Sequence, residues 1–257
     1  MTNNQSYGGA DHIEALLALA DDHLILGHRL SEWCGHAPML EEDLSLPNMA
    51  LDLLGQARNL FAHVANLENC GKSEDDLAYL RSDREYKNCL MVERPNGDFA
   101  HTMLRQLYFA AFMQPYWQAM EDSTDDTLRA LAAKAEKEMS YHIRHAGEWV
   151  VRLGDGTEES AHRMVNAVVA LHPYTDELFE ISAPLQNCIE HGLLPDPTPI
   201  RAPWQAMIED IFSQAYLTIP DVPFPQEGGR HGRHTEDFGH LLSELQYMQR
   251  AYPGMAW

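Results

Sequence analysis

Apolar residues recur at three- and four-residue spacing along almost the whole chain, and nowhere do they alternate as a half-buried strand requires. That periodicity restricts the chain to an all-α fold. The first stripe, within residues 12–34, runs through Ile13, Leu16, Leu17, Ala20, Leu24 and Gly27, with Gly35 and Pro38 closing it. A second helix is expected from about Pro47, carrying Met49, Leu53, Ala57, Leu60, Val64 and Leu67, and ending at Gly71. A shorter helical stretch over 74–92 leads to the turn Pro95-Asn96-Gly97. Asp98 is placed to cap a third long helix, 99–120, which Pro115 is expected to kink. Ser123 or Thr124 opens a fourth, running to Leu153. Helices at 158–171 (continuing past Pro173 to about 189), 203–217 and 235–252 complete the reading.

Four long helices with one insertion between the second and third predict a bundle with a crossover, surrounded by additional C-terminal helices. One domain over residues 1–257 is favoured over two, with 1–11 as a disordered N-terminal extension. The charge then narrows the partners. With 39 acidic against 18 basic residues the formal charge is -21, a surface that repels nucleic-acid backbones and anionic lipid. Residues 1–11 lack the basic and apolar regions of a signal peptide, and no segment approaches the roughly 20 apolar residues that span a bilayer. A cytoplasmic protein is expected. Cys34, Cys70, Cys89 and Cys188 are far apart and form no CxxC, so they read as reduced thiols.

The pentapeptide Glu138-Met139-Ser140-Tyr141-His142 comes close to a metal-binding motif. Dimetal four-helix proteins take Glu-x-x-His from each of two helices and a glutamate from each of the others. Here Tyr141 holds the histidine position and His142 comes one residue late. Further polar residues fall on inward registers: Asp52, Gln56, Asn59 and His63 on the second helix, Asp21, His28 and Glu32 on the first, Glu138 and His145 on the fourth. The ligand set nonetheless fails. Gly55 follows Asp52 at the i+3 position, and the third helix has no acid between Phe99 and Met120, only His101, Gln106 and Gln114. Two readings remain: a degenerate metal site on Glu32, Asp52, Glu138 and His142, or a hydrogen-bonded polar network of those residues. The network is preferred, since buried carboxylates must be paired. A pair of ligands at His142 and His145 is a weaker candidate. No Gly-x-Ser-x-Gly, P-loop or GxGxxG is present. The locally basic segment 228–234 (GGRHGRH) suits either anion or partner binding, or a glycine-rich entry to the last helix capped by Thr235.

Several blocks, in order along the chain, resemble one family: LSEWCGHAP at 30–38, ALDLLGQAR at 50–58, ERPNGDFA at 93–100, KEMSYH at 137–142, HTE at 234–236 and ELQYMQR at 244–250. They are similar to the C subunits of phenylacetyl-CoA 1,2-epoxidase complexes. The resemblance covers the chain from about residue 15 to Trp257. It implies a ferritin-like subunit that has lost its di-iron site, binds no cofactor itself and supports a catalytic A subunit that holds the irons and phenylacetyl-CoA. In that family one oxygen atom of O2 enters the aromatic ring as a 1,2-epoxide. A reductase subunit supplies electrons from NADPH, a small B subunit aids assembly, and the setting is aerobic phenylacetate degradation. No catalytic residue carries over. Trp33, Trp117 and Trp257 are candidate contacts with the partner, by the enrichment of aromatics at interfaces. The rival functions are an autonomous di-iron oxygenase with an irregular ligand set and a ferritin-like storage or binding protein.

Overall fold

The computed structural model describes residues 9–69 and 71–255. Among them every regular element is helical, in the order α1 (Gly9–Ser31), α2 (Leu40–Glu68), α3 (Glu74–Tyr79), α4 (Leu90–Glu93), α5 (Phe99–Met120), α6 (Asp126–Gly154), α7 (Glu158–Leu171), α8 (Ala183–Glu190), α9 (Arg201–Gln214), α10 (Glu236–Leu245) and α11 (Tyr247–Ala251). The long helices α1 and α2 pack along one another, as do α5 and α6. The two pairs enclose Leu16, Ile25, Leu53, Phe61, Leu104, Phe109, Trp117 and Met139, all essentially without solvent contact. This is the ferritin-like bundle, with α7 to α11 applied to its outside. No helix of the described residues is long and apolar enough to cross a membrane.

The boundaries differ from expectation where side chains supply local alternatives. Gly9, Ala10 and Asp11 belong to α1 rather than to the expected disordered extension over 1–11, the rest of which lies outside the described residues. α2 begins seven residues before Pro47, which sits inside it. Glu41, Glu42 and Asp43 complement the helix dipole in this added first turn, and Leu46 is fully buried on it. The helix ends on Asn69 in the left-handed conformation, φ 47°, ahead of Gly71. Ser123 and Thr124 do not open α6. The Ser123 hydroxyl donates to the Leu193 carbonyl and Thr124 N–H to Gly192 O, leaving Asp125 to cap the helix through Thr127 and Leu128 N–H. α5 passes through Pro115 without interruption, capped as expected by Asp98.

The stretch 74–92 is not one helix. Ser73 with Asp76 and Ser82 with Glu85 each close a capping box, so the chain starts a helical turn twice and sustains neither. The irregular backbone that follows the second faces two buried carboxylates of α1. Asp21 accepts from Lys87 N–H at 2.9 Å and pairs with Arg81; Asp22 accepts from Cys89 N–H at 2.7 Å and pairs with Arg230 at 2.7 Å. Asp21 therefore serves this insertion rather than the bundle seam. The continuation past Pro173 also fails, breaking into two 3-10 turns before α8. The last helix divides at Gln246, whose side-chain amide donates to Arg81 O and Tyr86 OH.

The basic segment 228–234 turns inward. Arg230 is anchored on Asp22, and His234 lies between Glu93 and the Tyr86 carbonyl. Gly229 is required because a Cβ there would collide with the Asn88 carbonyl. The glycine-rich entry to α10 is thus the reading the structure bears out. Thr235 stands at the cap position, but its hydroxyl makes no cap bond; its N–H donates to Glu93 at 2.6 Å.

Candidate functional site

Inside the bundle, polar side chains from all four long helices meet at mid-height. His142 on α6 is completely buried and forms the hub. Its Nδ1 accepts from Gln106 Nε2 on α5 at 2.9 Å, and its Nε2–H donates to Asp52 Oδ2 on α2 at 3.1 Å. One turn earlier on α6, Glu138 accepts from Gln56 Nε2 on α2 at 2.8 Å and pairs outward with Lys134 at 2.9 Å. His23 completes the set from α1. Fully buried against Phe109 and Trp117, it donates Nδ1–H to the Leu19 carbonyl at 2.7 Å. Burial pushes its pKa down to about 4, against a smaller opposing effect of that hydrogen bond, so it is neutral near pH 7.

The inward positions on α2 and α6 are spaced i, i+4: Asp52 with Gln56, and Glu138 with His142. This explains why the motif looks one residue out of register. Gly55 lies on the outer side of α2, where a Cβ would meet nothing within 4 Å. Asn59 is exposed and donates to the Gly55 carbonyl. Of the four weak metal candidates, Asp52 and His142 meet directly, Glu138 joins them only through the network's neighbouring Gln56, and Glu32 stands apart. Glu32 is an exposed residue at the end of α1, bonded to Arg29 and Asn96 at 2.9 Å each. His28 also stays outside the network, its pKa brought to about 4, chiefly by burial and then by Arg29. His145 is directed elsewhere, 2.9 Å from Glu42.

The donor chemistry argues against a di-iron centre in this network. In such a centre cations hold the carboxylates and imidazoles together. Here the amide N–H groups of Gln56 and Gln106 occupy that role, binding Glu138 and His142 directly. The acceptors without a protein partner, His23 Nε2, Gln56 Oε1 and Gln106 Oε1, are all neutral. Neutral oxygens are poor ligands for first-row cations compared with carboxylates, and His23 Nε2 belongs to no cluster of three histidine, cysteine or carboxylate ligands among the described residues. The network therefore ties α2, α5 and α6 together by direct side-chain hydrogen bonds and fixes their register.

Sequence reasoning misses His23 because its neighbour Asp22 and the register-matched Asp21 are the stronger polar signals; both are engaged by the insertion. Gln106 is visible in the sequence only as a substitute ligand, although it is the residue that completes the hub. A second cluster lies at the end of the bundle, where His12 of α1, His63 of α2 and the α6 cap Asp125 approach one another. Of the candidate interface tryptophans, Trp117 is fully buried core, Trp33 is half-buried and donates to Thr102 Oγ1 at 3.0 Å, and Trp257 lies outside the described residues.

The family model described as phenylacetic acid catabolic protein matches residues 2–257. The C component of the 1,2-phenylacetyl-CoA epoxidase of Escherichia coli (strain K12) is 43% identical over 241 residues, which cover 94% of this chain and 97% of that one. The chain belongs to the phenylacetic acid catabolic protein family.

Proposed function

We propose that this chain is the non-catalytic, structural member of a multicomponent phenylacetyl-CoA 1,2-epoxidase, supporting a separate di-iron subunit that epoxidises the aromatic ring. The observation that carries this reading is the replacement of charged metal ligands by the amides of Gln56 and Gln106, in a chain 43% identical to the C component of such an epoxidase. On this reading no residue of the chain is catalytic. The irons sit in the partner, a small B subunit and a reductase complete the assembly, and the complex works in the cytoplasm. Organisation as a single domain is part of the proposal, supported by a hydrophobic core that runs from Ala15 on α1 to Leu245 on α10.

The outer face of α2 supports a partner-binding role. Leu40, Leu44 and Leu51 point into solvent with 69%, 59% and 65% exposure, and their spacing sets them on one side of the helix. Gly55 continues that side. A glycine in a helix interior costs about 1 kcal/mol relative to alanine, and among the described residues nothing lies within 4 Å of the position a Cβ would take. An apolar stripe ending in a residue without a side chain suits close packing by another helix.

Co-expression with the di-iron subunit followed by size-exclusion chromatography tests the proposal. Co-elution at micromolar concentration is expected, and the Leu44→Glu, Leu51→Glu double variant is expected to elute alone while keeping its helical circular dichroism. The rival reading, an autonomous di-iron oxygenase, prevails if the isolated chain carries near-stoichiometric iron and turns over substrate, with both lost in Glu138→Ala.

A further inference from the structure

Two imidazoles and a carboxylate converge at the end of the bundle, away from the central network. His63 Nε2 is 2.6 Å from Asp125 Oδ2, and His12 Nε2 is 3.9 Å from the same oxygen. All three donor atoms lie within 4.8 Å of one another. They come from three helices. His12 is in the first turn of α1, His63 is near the end of α2, and Asp125 is the N-cap of α6.

His12 is the telling member. Its side chain is only 3% exposed, yet among the described residues Nε2 has no hydrogen-bond partner, and it faces the other two. An imidazole nitrogen so enclosed costs free energy unless something occupies its lone pair. Asp125 is divided in function. Its Oδ1 accepts from Thr127 and Leu128 N–H to cap α6, leaving Oδ2 to face the histidines. The capping bonds orient the carboxylate as outer-shell partners orient metal ligands.

We propose that His12, His63 and Asp125 form a mononuclear site for a first-row divalent cation of the zinc type, clasping α1, α2 and α6 at one end of the bundle. Tetrahedral zinc with bonds near 2.0–2.1 Å places its ligand atoms about 3.3 Å apart. The observed 2.6 and 3.9 Å bracket that value and the third separation lies within 4.8 Å, so each ligand separation needs to change by no more than about 1.5 Å. His63 then carries its proton on Nδ1, freeing Nε2 for the metal. The side chains of His63 and Asp125 are 11% and 12% exposed, which leaves a fourth position reachable by water. This site shares no residue with the central network, and it requires no iron.

The test uses the full chain, stripped with a chelator and titrated with Co²⁺ alone, then with Zn²⁺ in competition. One equivalent of Co²⁺ is expected to give the visible absorption of a four- or five-coordinate centre, displaced by Zn²⁺, with a melting temperature that rises with Zn²⁺ concentration. His63→Gln and Asp125→Asn, the latter retaining the Oδ1 cap, are each expected to weaken binding at least tenfold. His23→Gln in the central network and His36→Gln on the surface are expected to leave it unchanged. Helical circular dichroism of each variant confirms folding. The proposal is overturned by the absence of the cobalt spectrum, by its survival in both His63→Gln and Asp125→Asn, or by its loss in His23→Gln.

Discussion

The centre of the bundle and its end are built from the same materials and differ in one respect. Both join α2 to α6 with histidine and carboxylate. At the centre, glutamine amides bring their own N–H donors, so Glu138 and His142 are held without a cation. At the end no amide intervenes: His12 Nε2, as buried and unpartnered among the described residues as His23 Nε2 is at the centre, faces a second histidine and a carboxylate. Which chemistry a polar cluster can support thus depends less on the count of potential ligands than on whether neutral donors have already taken them.

The largest effect expected from breaking this contrast comes from its hub. Replacing His142 with Ala removes a fully buried ring, leaves Gln106 and Asp52 without their partner, and opens a cavity. A loss of about 3 kcal/mol in unfolding free energy is expected from the cavity and the unsatisfied amide together. Urea denaturation measures it. A cost below that of an ordinary surface substitution would show that the centre does not fix the bundle.

Protonation gives a second, smaller handle. His23 has a folded-state pKa of about 4 against an ordinary 6.5. The fold favours the neutral ring, so its contribution is fully present above 6.5 and is lost as pH falls toward 4. Between about pH 7 and pH 5 this one group removes about 2 kcal/mol of stability. The His23→Gln chain, with nothing to protonate there, should lose correspondingly less over the same interval. His28, also held near 4, contributes in both proteins and cancels in the comparison. Equal pH dependence of the two chains would remove His23 from the account.

At the end of the bundle the expected change is smaller again. Asp125→Ala deletes the cap of α6 and the partner of His63, for a loss of about 1–2 kcal/mol in the metal-free chain. Asp125→Asn keeps the capping oxygen and should recover most of that loss. Because the folded state holds the Asp125 carboxyl below its usual range, with burial outweighed by the hydrogen bond and charge of His63, its stabilisation is present above the unfolded-state pKa. It fades as pH drops through the lower folded-state value, on the acid side of the His23 transition. Comparing the two variants with each other isolates the cap, and comparing Asp125→Asn with the unsubstituted chain across that pH range isolates the ion pair.

Much of this architecture is legible in the periodicity. Four long apolar stripes place α1, α2, α5 and α6, and the near-motif at Glu138 identifies the inward face of α6. What the stripes do not convey is competition for hydrogen bonds. Ser123 is an acceptable helix cap in sequence, but its hydroxyl is committed to Leu193, seventy residues away. Asp21 shares a register with the polar seam, yet Arg81 and Lys87 draw it to the insertion. The His12–His63–Asp125 cluster draws on three helices and on a capping residue, so no local spacing announces it. Gly55 reads as a defective ligand position only under i+3 spacing; with i+4 in use, it belongs to the opposite face.

That opposite face supplies the smallest and most discriminating change. Gly55 lies on the helix that carries both polar clusters, but turned away from them, so a substitution there should disturb neither. A methyl group meets nothing within 4 Å in the isolated chain, and alanine removes the conformational freedom that glycine brings to the unfolded state. Gly55→Ala is therefore expected to stabilise the isolated chain by about 0.5–1 kcal/mol. If another helix packs against Leu44, Leu51 and this glycine, the same methyl group intrudes on the contact. Association with the di-iron subunit should weaken as intrinsic stability rises. Opposite signs in thermal denaturation and in co-elution assign Gly55 to an interface. A chain that gains stability and binds its partner unchanged shows that α2 meets nothing there, and that the inward polar face is the only part of this helix under functional constraint.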